Sequence, residues 1–363
     1  MKLLFIADPH LGARKNSSVF IKITEEFFNI TVPSIIDEHH IDQLWILGDL
    51  FEDRHELDTR IKLLAFNIFE NLLNKFNDLK INIITGNHDI YYKNSLDTTT
   101  LKMFFEYSNR IHVVRTVEEY SVGGCSVIAF PWIWDTSEGF KKLKELYDVY
   151  EDTGKKQYDL CLGHFEINGG EVTPGTVMKS NISQKYFSAF KHVYSGHFHI
   201  RQQLGNIKYC GSPYEITWND YDDIKGCYVF DTITQKSTFI ENTSSPKHIK
   251  LKLSDILEDK SIIKHIKNSW VKLFIDTPIK DDNRIELLTV IDAYSPIELT
   301  IIDEVEGSEI YDDTIDLDYT EYEGNELTYL NEYTSQLEFD IPKEDIVNYA
   351  QELYDRCLQE NEG

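Results

Sequence analysis

The sequence predicts an α/β layered fold, with a mixed sheet or two sheets held between helical layers. Short apolar runs ending in Asp or Gly alternate with longer stretches of helical periodicity. Glycine-containing turns separate apolar runs later in the chain. The strand-like runs of the first half are 2–7, 44–47 and 81–85. Between them, residues 20–39 carry Phe20, Ile23, Phe27 and Ile30 at helical spacing, and 61–79 is likewise amphipathic. Further strand-like runs cover 125–130, 160–163, 193–196 and 227–230. Gly123-Gly124 and Gly205-Asn206 read as hairpin turns.

The texture changes at a polar stretch, 242–246. Beyond it, 246–302 reads as a small α+β unit, with strand-like pieces at 271–275 and 297–302 around a helical stretch. Residues 303–323 hold ten carboxylates and no Lys or Arg, so 303–325 reads as an acidic linker. In 326–363, Leu327 and Leu330 mark a short apolar turn. Ile346, Tyr349, Ala350, Leu353 and Cys357 mark one face of a helix.

Several classes are excluded. No apolar run is long enough to span a bilayer. Asp8 and His10 cut the N-terminal run short, so it reads as a strand and not a signal peptide. The five cysteines (125, 161, 210, 227 and 357) show no CxxC spacing, which argues for a reducing compartment. A net charge of −26 at face value opposes nucleic-acid binding. The charge is uneven, however. Residues 1–245 hold 25 Lys and Arg against 33 Asp and Glu, while 301–363 hold 2 against 20. The acidity is concentrated in the tail.

Five clusters carry chemistry: Asp8-Pro9-His10, Gly48-Asp49, Gly86-Asn87-His88-Asp89, Gly163-His164 and Gly196-His197-Phe198-His199. Each follows a strand-like run, and strand ends are where open α/β sheets bind ligands. Asp8, His10, Asp49, Asn87, His164, His197 and His199 offer too many metal ligands for one ion and about the right number for two. Imidazole with carboxylate suits Mn, Fe, Zn or Ni better than Ca. Asp49 is the natural bridge. A pair of divalent ions suits phosphoester hydrolysis. His88 is cast as the catalytic donor to the phosphate or the leaving oxygen. Any one of these pairs is common by chance. Their joint occurrence, in order and each after a strand, is not.

Those five clusters resemble the signature of the calcineurin-like metallophosphoesterases. Asp8-Pro9-His10-Leu11-Gly12, Gly48-Asp49-Leu50-Phe51, the GNHD form of the third cluster and Gly211-Ser212-Pro213 make the chain similar to SbcD-like recombination and repair nucleases. Among these it resembles the recombination endonuclease subunits of T-even-like phages. The resemblance covers roughly residues 1–240. It implies a two-sheet sandwich flanked by helices, with an adapter domain and C-terminal helices. It also implies one metal on Asp8, His10, Asp49 and His199, and the other on Asp49, Asn87, His164 and His197. The expected cofactor is a pair of Mn²⁺ ions, with Mg²⁺ as the alternative. The expected activity is 3′-to-5′ exonuclease and single-strand endonuclease. The expected partners are DNA, a second copy of the chain and a coiled-coil ABC-type ATPase docked on the C-terminal segment. The expected location is the cytoplasm of a bacterial or phage-infected cell. One position departs from the family: Glu52 stands where many members have a His linked to exonuclease action.

DNA-backbone binding needs cations. Arg14, Lys15, Arg54, Lys93, Lys179 and Arg201 lie near the clusters, and Tyr91 and Tyr92 are placed to stack on a base. Leu327, Leu330, Ile346, Tyr349, Ala350 and Leu353 are the expected partner-docking residues. The competing readings are a phosphatase or cyclic-nucleotide phosphodiesterase of the same superfamily, and a non-catalytic scaffold. Protein phosphatases typically carry GNHE as the third cluster, and a scaffold would have lost ligands.

Overall fold

The computed structural model describes residues 1–106 and 108–304. In chain order the strands are β1 (Lys2–Ile6), β2 (Gln43–Ile46), β3 (Lys80–Ile84), β4 (Ile111–Val114), β5 (Glu118–Val122), β6 (Cys125–Ala129) and β7 (Tyr158–His164). A short hairpin, β8 (Glu171–Thr173) and β9 (Thr176–Val177), precedes β10 (Phe190–Gly196). Then come β11 (Gln202–Leu204), β12 (Ile207–Tyr209), β13 (Gly226–Asp231) and β14 (Lys236–Glu241).

Two six-stranded sheets result, ordered β14-β13-β1-β2-β3-β4 and β11-β12-β10-β7-β6-β5. In the first sheet, β1 to β4 are parallel. In the second, β6, β7, β10 and β12 are parallel. The period-2 alternation decides the layering. Along β1, Leu3 and Phe5 pack with Leu160, Leu162 and Tyr194 of the second sheet. Leu4 and Ile6 point the other way, into a cluster with Phe20, Ile23, Phe27 and Ile68 from helices. The outer face of the second sheet packs Ile128, Cys161 and Val193 against Phe140, Leu143 and Leu146 of helix Glu138–Thr153. The order of layers is therefore helix, sheet, sheet, helix, in line with the expected sandwich.

The expected helix over 20–39 forms as Ser18–Glu26, a π turn Phe27–Thr31 and Val32–His39. Ser17 caps its start, accepting from Val19 N at 3.3 Å. Pro33 has no N–H for the preceding turn, and the wider π turn before it absorbs the mismatch. The second expected helix runs Thr59–Lys75 and stops short of residue 79. Asn77 and Asp78 turn the chain, and Leu79 leads into β3.

A third sheet, β15 (His248–Lys252), β16 (Trp270–Ile275) and β17 (Glu298–Asp303), is fully parallel and lies in the stretch expected to be a small α+β unit. Its own core includes Leu253, Ile256, Val271, Leu273 and Ile291. It is tied to the sandwich within one compact unit, Met1–Thr314. Trp270 stacks on Phe20 with ring centroids 5.3 Å apart, and His248 Nδ1 lies 2.9 Å from Glu215 Oε2. The linker beyond residue 304 and the docking residues Leu327, Leu330, Ile346, Tyr349, Ala350 and Leu353 lie outside the described residues. Among the described residues no helix is long and apolar enough to cross a membrane.

A buried cation fastens the segment after β12. Lys225 is 5% exposed and donates to Asp220 Oδ1, to Asp223 Oδ2 at 2.9 Å and to His199 O at 2.7 Å. Asp220 also accepts from Ile216 N and Thr217 N, both at 2.9 Å. Burial alone would raise the Asp220 carboxyl, but Lys225 and these donors hold it down at about 2. Lys225→Met leaves Asp220 buried without its cation. The expected cost is about 3–5 kcal/mol in urea unfolding, and an unchanged midpoint would contradict it.

Candidate metal centre

The five clusters meet at one edge of the sandwich, at the C-terminal ends of parallel strands. Asp8 and His10 follow β1, Asp49 follows β2, and Asn87 and His88 follow β3. His164 ends β7, and His197 and His199 follow β10. Four of these residues have left-handed backbone: Asp8 (φ 51°), His10 (φ 44°), Asp49 (φ 49°) and His197 (φ 95°). Such φ values are uncommon for residues other than glycine, and cluster at functional sites. His197 and His199 are two residues apart, the spacing that puts side chains on one face of an extended segment. They lie just beyond the end of β10 at Gly196, and both rings reach the cluster.

Besides a third set, His10, Glu52 and His88, the expected ligand atoms fall into two groups, each within 4.8 Å: Asp8, His10 and His199, and Asp49, His164 and His197. Asp49 joins them, with Oδ2 at 3.1 Å from His164 Nε2 and 3.9 Å from His10 Nε2. Asn87 Oδ1 lies 2.9 Å from His164 Nε2 and 3.1 Å from His197 Nδ1. His10 Nε2 and His199 Nε2 approach to 2.9 Å.

The donor chemistry fits divalent cations. His164 Nδ1 lies 2.8 Å from Leu47 O and donates its proton there. In the neutral ring, Nε2 then faces Asn87 Oδ1 and Asp49 Oδ2 with a lone pair. Three acceptors converge on a point that a cation would satisfy. Asp8 Oδ2 is buried with no hydrogen-bond partner among the described residues, which is costly unless a cation binds it. The titration directions agree. Burial disfavours the His164 imidazolium, but Asp49 and Asp8 outweigh it and push the group up to about 9. Burial likewise opposes charge on His10, and Glu52 reverses it, again to about 9. Burial raises Asp8, whereas the surrounding imidazoles pull Asp49 well below its ordinary value against burial. The pocket stabilises positive charge at its centre.

Several supporting residues escape sequence reasoning. Glu52 Oε2 lies 2.7 Å from His10 Nδ1, and Glu166 Oε2 lies 3.7 Å from His197 Nε2. Carboxylates on the outer nitrogen commonly fix the tautomer of metal-binding imidazoles. In the sequence Glu52 stands out only as a departure from a family pattern. Glu166, two residues after His164, carries no signal of its own. Asp89 is fully buried and accepts from Gly86 N at 2.9 Å, Phe51 N at 3.2 Å and Leu50 N at 3.4 Å. It clamps the Asp49 loop to the Asn87 loop. Burial and Asp49 raise its carboxyl to about 6. Gly48 and Gly86 allow the closest approaches, since a Cβ at Gly48 would strike the His164 ring and one at Gly86 would strike the Asp49 carboxylate. Trp132, after β6, lies against the rings of His197 (5.1 Å) and His164 (5.8 Å).

His88 is buried beside the cluster. Its backbone N–H donates to Asp49 Oδ1 at 2.9 Å, its Nδ1 lies 2.6 Å from Glu52 O, and its ring meets His10 edge-on at 5.0 Å. The surface candidates are less uniform. Arg14 Nε donates to Ile216 O at 3.0 Å, and Lys15 is exposed. Arg54 is half-buried, while Lys93 and Lys179 are exposed. Tyr91 and Tyr92 are exposed and meet edge-to-face at 4.8 Å. Arg201 instead lies over the Phe239 ring, 4.4 Å from its centroid.

Comparison with known proteins gives three findings. The calcineurin-like phosphoesterase family matches residues 1–201. Exonuclease subunit 1 of Enterobacteria phage T4 is 24% identical over 365 residues, covering 99% of this chain and 100% of that one. Among solved structures, the Pseudomonas putida nuclease MPE is 20% identical, covering 57% of this chain and 66% of that one with a TM-score of 0.27. A dimetal phosphatase from Danio rerio is 11% identical, covering 63% and 91% with a TM-score of 0.37.

The Asp89 clamp is testable by stability. Asp89→Ala strands three buried backbone donors, for an expected loss of about 3–5 kcal/mol in denaturant unfolding. Asp89→Asn keeps one acceptor oxygen and should lose less. Equal stability of Asp89→Ala and the unaltered chain would contradict the clamp.

Proposed function

The chain belongs to the calcineurin-like phosphoesterase family, and on that premise we propose that it is a two-metal DNA phosphodiesterase, the nuclease subunit of a recombination and repair complex. The observation that carries the two-metal reading is the convergence of buried acceptors around His164 Nε2 and Asp8 Oδ2. The DNA reading is supported by the full-length similarity to a phage exonuclease subunit. Asp8, His10, Asp49 and His199 would hold one ion, and Asp49, Asn87, His164 and His197 the other, with Mn²⁺ the preferred metal. The chemistry such a pair supplies when bound is polarisation of the phosphate oxygens and a more acidic water.

The chain's own groups do the rest. Glu52 and Glu166 place a carboxylate beside the outer nitrogens of His10 and His197, at 2.7 and 3.7 Å, which favours a proton there and leaves His10 Nε2 and His197 Nδ1 to face the centre. His88 donates Nδ1–H to Glu52 O, so Nε2 is the ring atom left to hold or transfer a proton. From there it can neutralise charge on the phosphate or protonate the leaving oxygen. Trp132 covers the His197 and His164 rings on one side and excludes water from them.

The same reading includes assembly as a homodimer with a coiled-coil ABC-type ATPase, in the cytoplasm of a bacterial or phage-infected cell. Dimerisation is supported by Ile30, Leu63 and Phe66, which are 63%, 59% and 57% exposed on helices 18–39 and Thr59–Lys75. A chain truncated near residue 303 should lose the ATPase in a pull-down, and undiminished binding would sink the docking idea.

The direct test is degradation of linear DNA with and without Mn²⁺, beside hydrolysis of a phosphorylated peptide. Metal-dependent DNA cleavage with little phosphatase activity is expected, and the reverse would favour a protein phosphatase. His88→Ala should retain both metals while cleavage falls by roughly 10²–10⁴-fold. Loss of metal binding would instead make His88 a ligand.

A further inference from the structure

A groove of about 980 Å³ opens between the β4–β5 connection and residues 131–139. Its inner wall is Trp132, the same side chain that lies 5.1 Å from the His197 ring. An occupant touching Trp132 is thus one side chain from the metal centre. The groove is at the upper end of small-ligand pockets, roughly 300–1,000 Å³, so it has room for more than one base.

The lining separates committed from uncommitted groups. Glu118 is held by His112 at 2.7 Å and by the Tyr120 hydroxyl, and Glu138 by Lys141 at 2.6 Å. Lys102 faces Glu106 at 3.5 Å. Arg115 is half-buried in the wall and makes no hydrogen bond or ion pair among the described residues. The half-buried Trp134 ring stacks on no other aromatic among them. What remains on offer is the Arg115 guanidinium and the half-buried Trp134 indole, beside the exposed Glu119 carboxylate; Trp132 is 8% exposed, its ring lies against His197 and His164, and it serves as the floor. The guanidinium and indole are the complement of a single unstacked nucleotide: a π-face for a base and a fork for a phosphate. The neighbouring carboxylates make the groove a poor track for a long polyanion or a rigid duplex.

We propose that this groove is a single-strand subsite, which takes the nucleotides adjoining the phosphate at the metal centre, with a base on Trp134 and a phosphate on Arg115. It rests on the DNA phosphodiesterase reading and extends it to unpaired ends, since a base must leave its stack to enter.

The test is equilibrium binding of a fluorescent single-stranded oligothymidylate to the full chain, in EDTA to prevent cleavage. Trp134→Ala should weaken binding roughly 5- to 150-fold, the range for loss of one base–aromatic stack. Arg115→Ala should weaken it as well. Trp134→Phe retains a stacking face and should restore most of the affinity, which a folding defect would not. Equal affinity of Trp134→Ala and the unaltered chain overturns the subsite, as does failure of Trp134→Phe to recover. Mn²⁺-dependent hydrolysis of bis(p-nitrophenyl) phosphate by the unaltered chain is measured in parallel. Its absence, with the binding pattern intact, would overturn the phosphodiesterase reading alone.

Discussion

His164 Nδ1 gives its proton to Leu47 O, and its Nε2 is left to face an amide oxygen and a carboxylate oxygen at hydrogen-bond distance. Buried acceptors that point at one another repel, and no donor among the described residues stands between them. A proton on the ring relieves this in the free protein, which is why the imidazolium is favoured despite burial. A divalent cation would relieve it more fully and could also be held by the unpartnered Asp8 oxygen. Proton and metal therefore compete for one electrostatic well. The remainder of the sandwich holds that well open.

Holding it open costs the fold local strain. Asp8, His10, Asp49 and His197 all adopt left-handed backbone, of order 1–3 kcal/mol each. The restraint comes from outside the ligand set. Asp89 pins the loops after β2 and β3 together, and Lys225 draws the His199 carbonyl onto the buried Asp220 network. Gly48 and Gly86 let the strands' ends come close enough for side chains from different loops to meet. The strand cores supply the rigidity against which these contacts pull.

Much of this was legible in the chain. The period-2 strands and the helical stripe of Phe20, Ile23 and Phe27 gave the layers, because burial on two faces leaves a local pattern. That the residues of the five clusters would meet was legible because each cluster follows a strand, and parallel strands deliver their ends to one edge. Glu166 and Trp132 were not legible, since their partners are distant in sequence and nothing local marks the contact. Glu52 read as a loss against a family pattern, whereas the structure gives its carboxylate to His10. The net charge also changes meaning, because the acidity is concentrated in residues 301–363 and the rest of the chain is only mildly acidic.

The central claim is that Asp49 bridges two cations within one chain. Electron paramagnetic resonance of the full-length protein titrated with Mn²⁺ tests it most directly. Two ions sharing a carboxylate should give two bound Mn²⁺ per chain and an exchange-coupled spectrum, lost in Asp49→Ala. Saturation at a single ion, or a spectrum of isolated Mn²⁺ at full loading, would contradict the account.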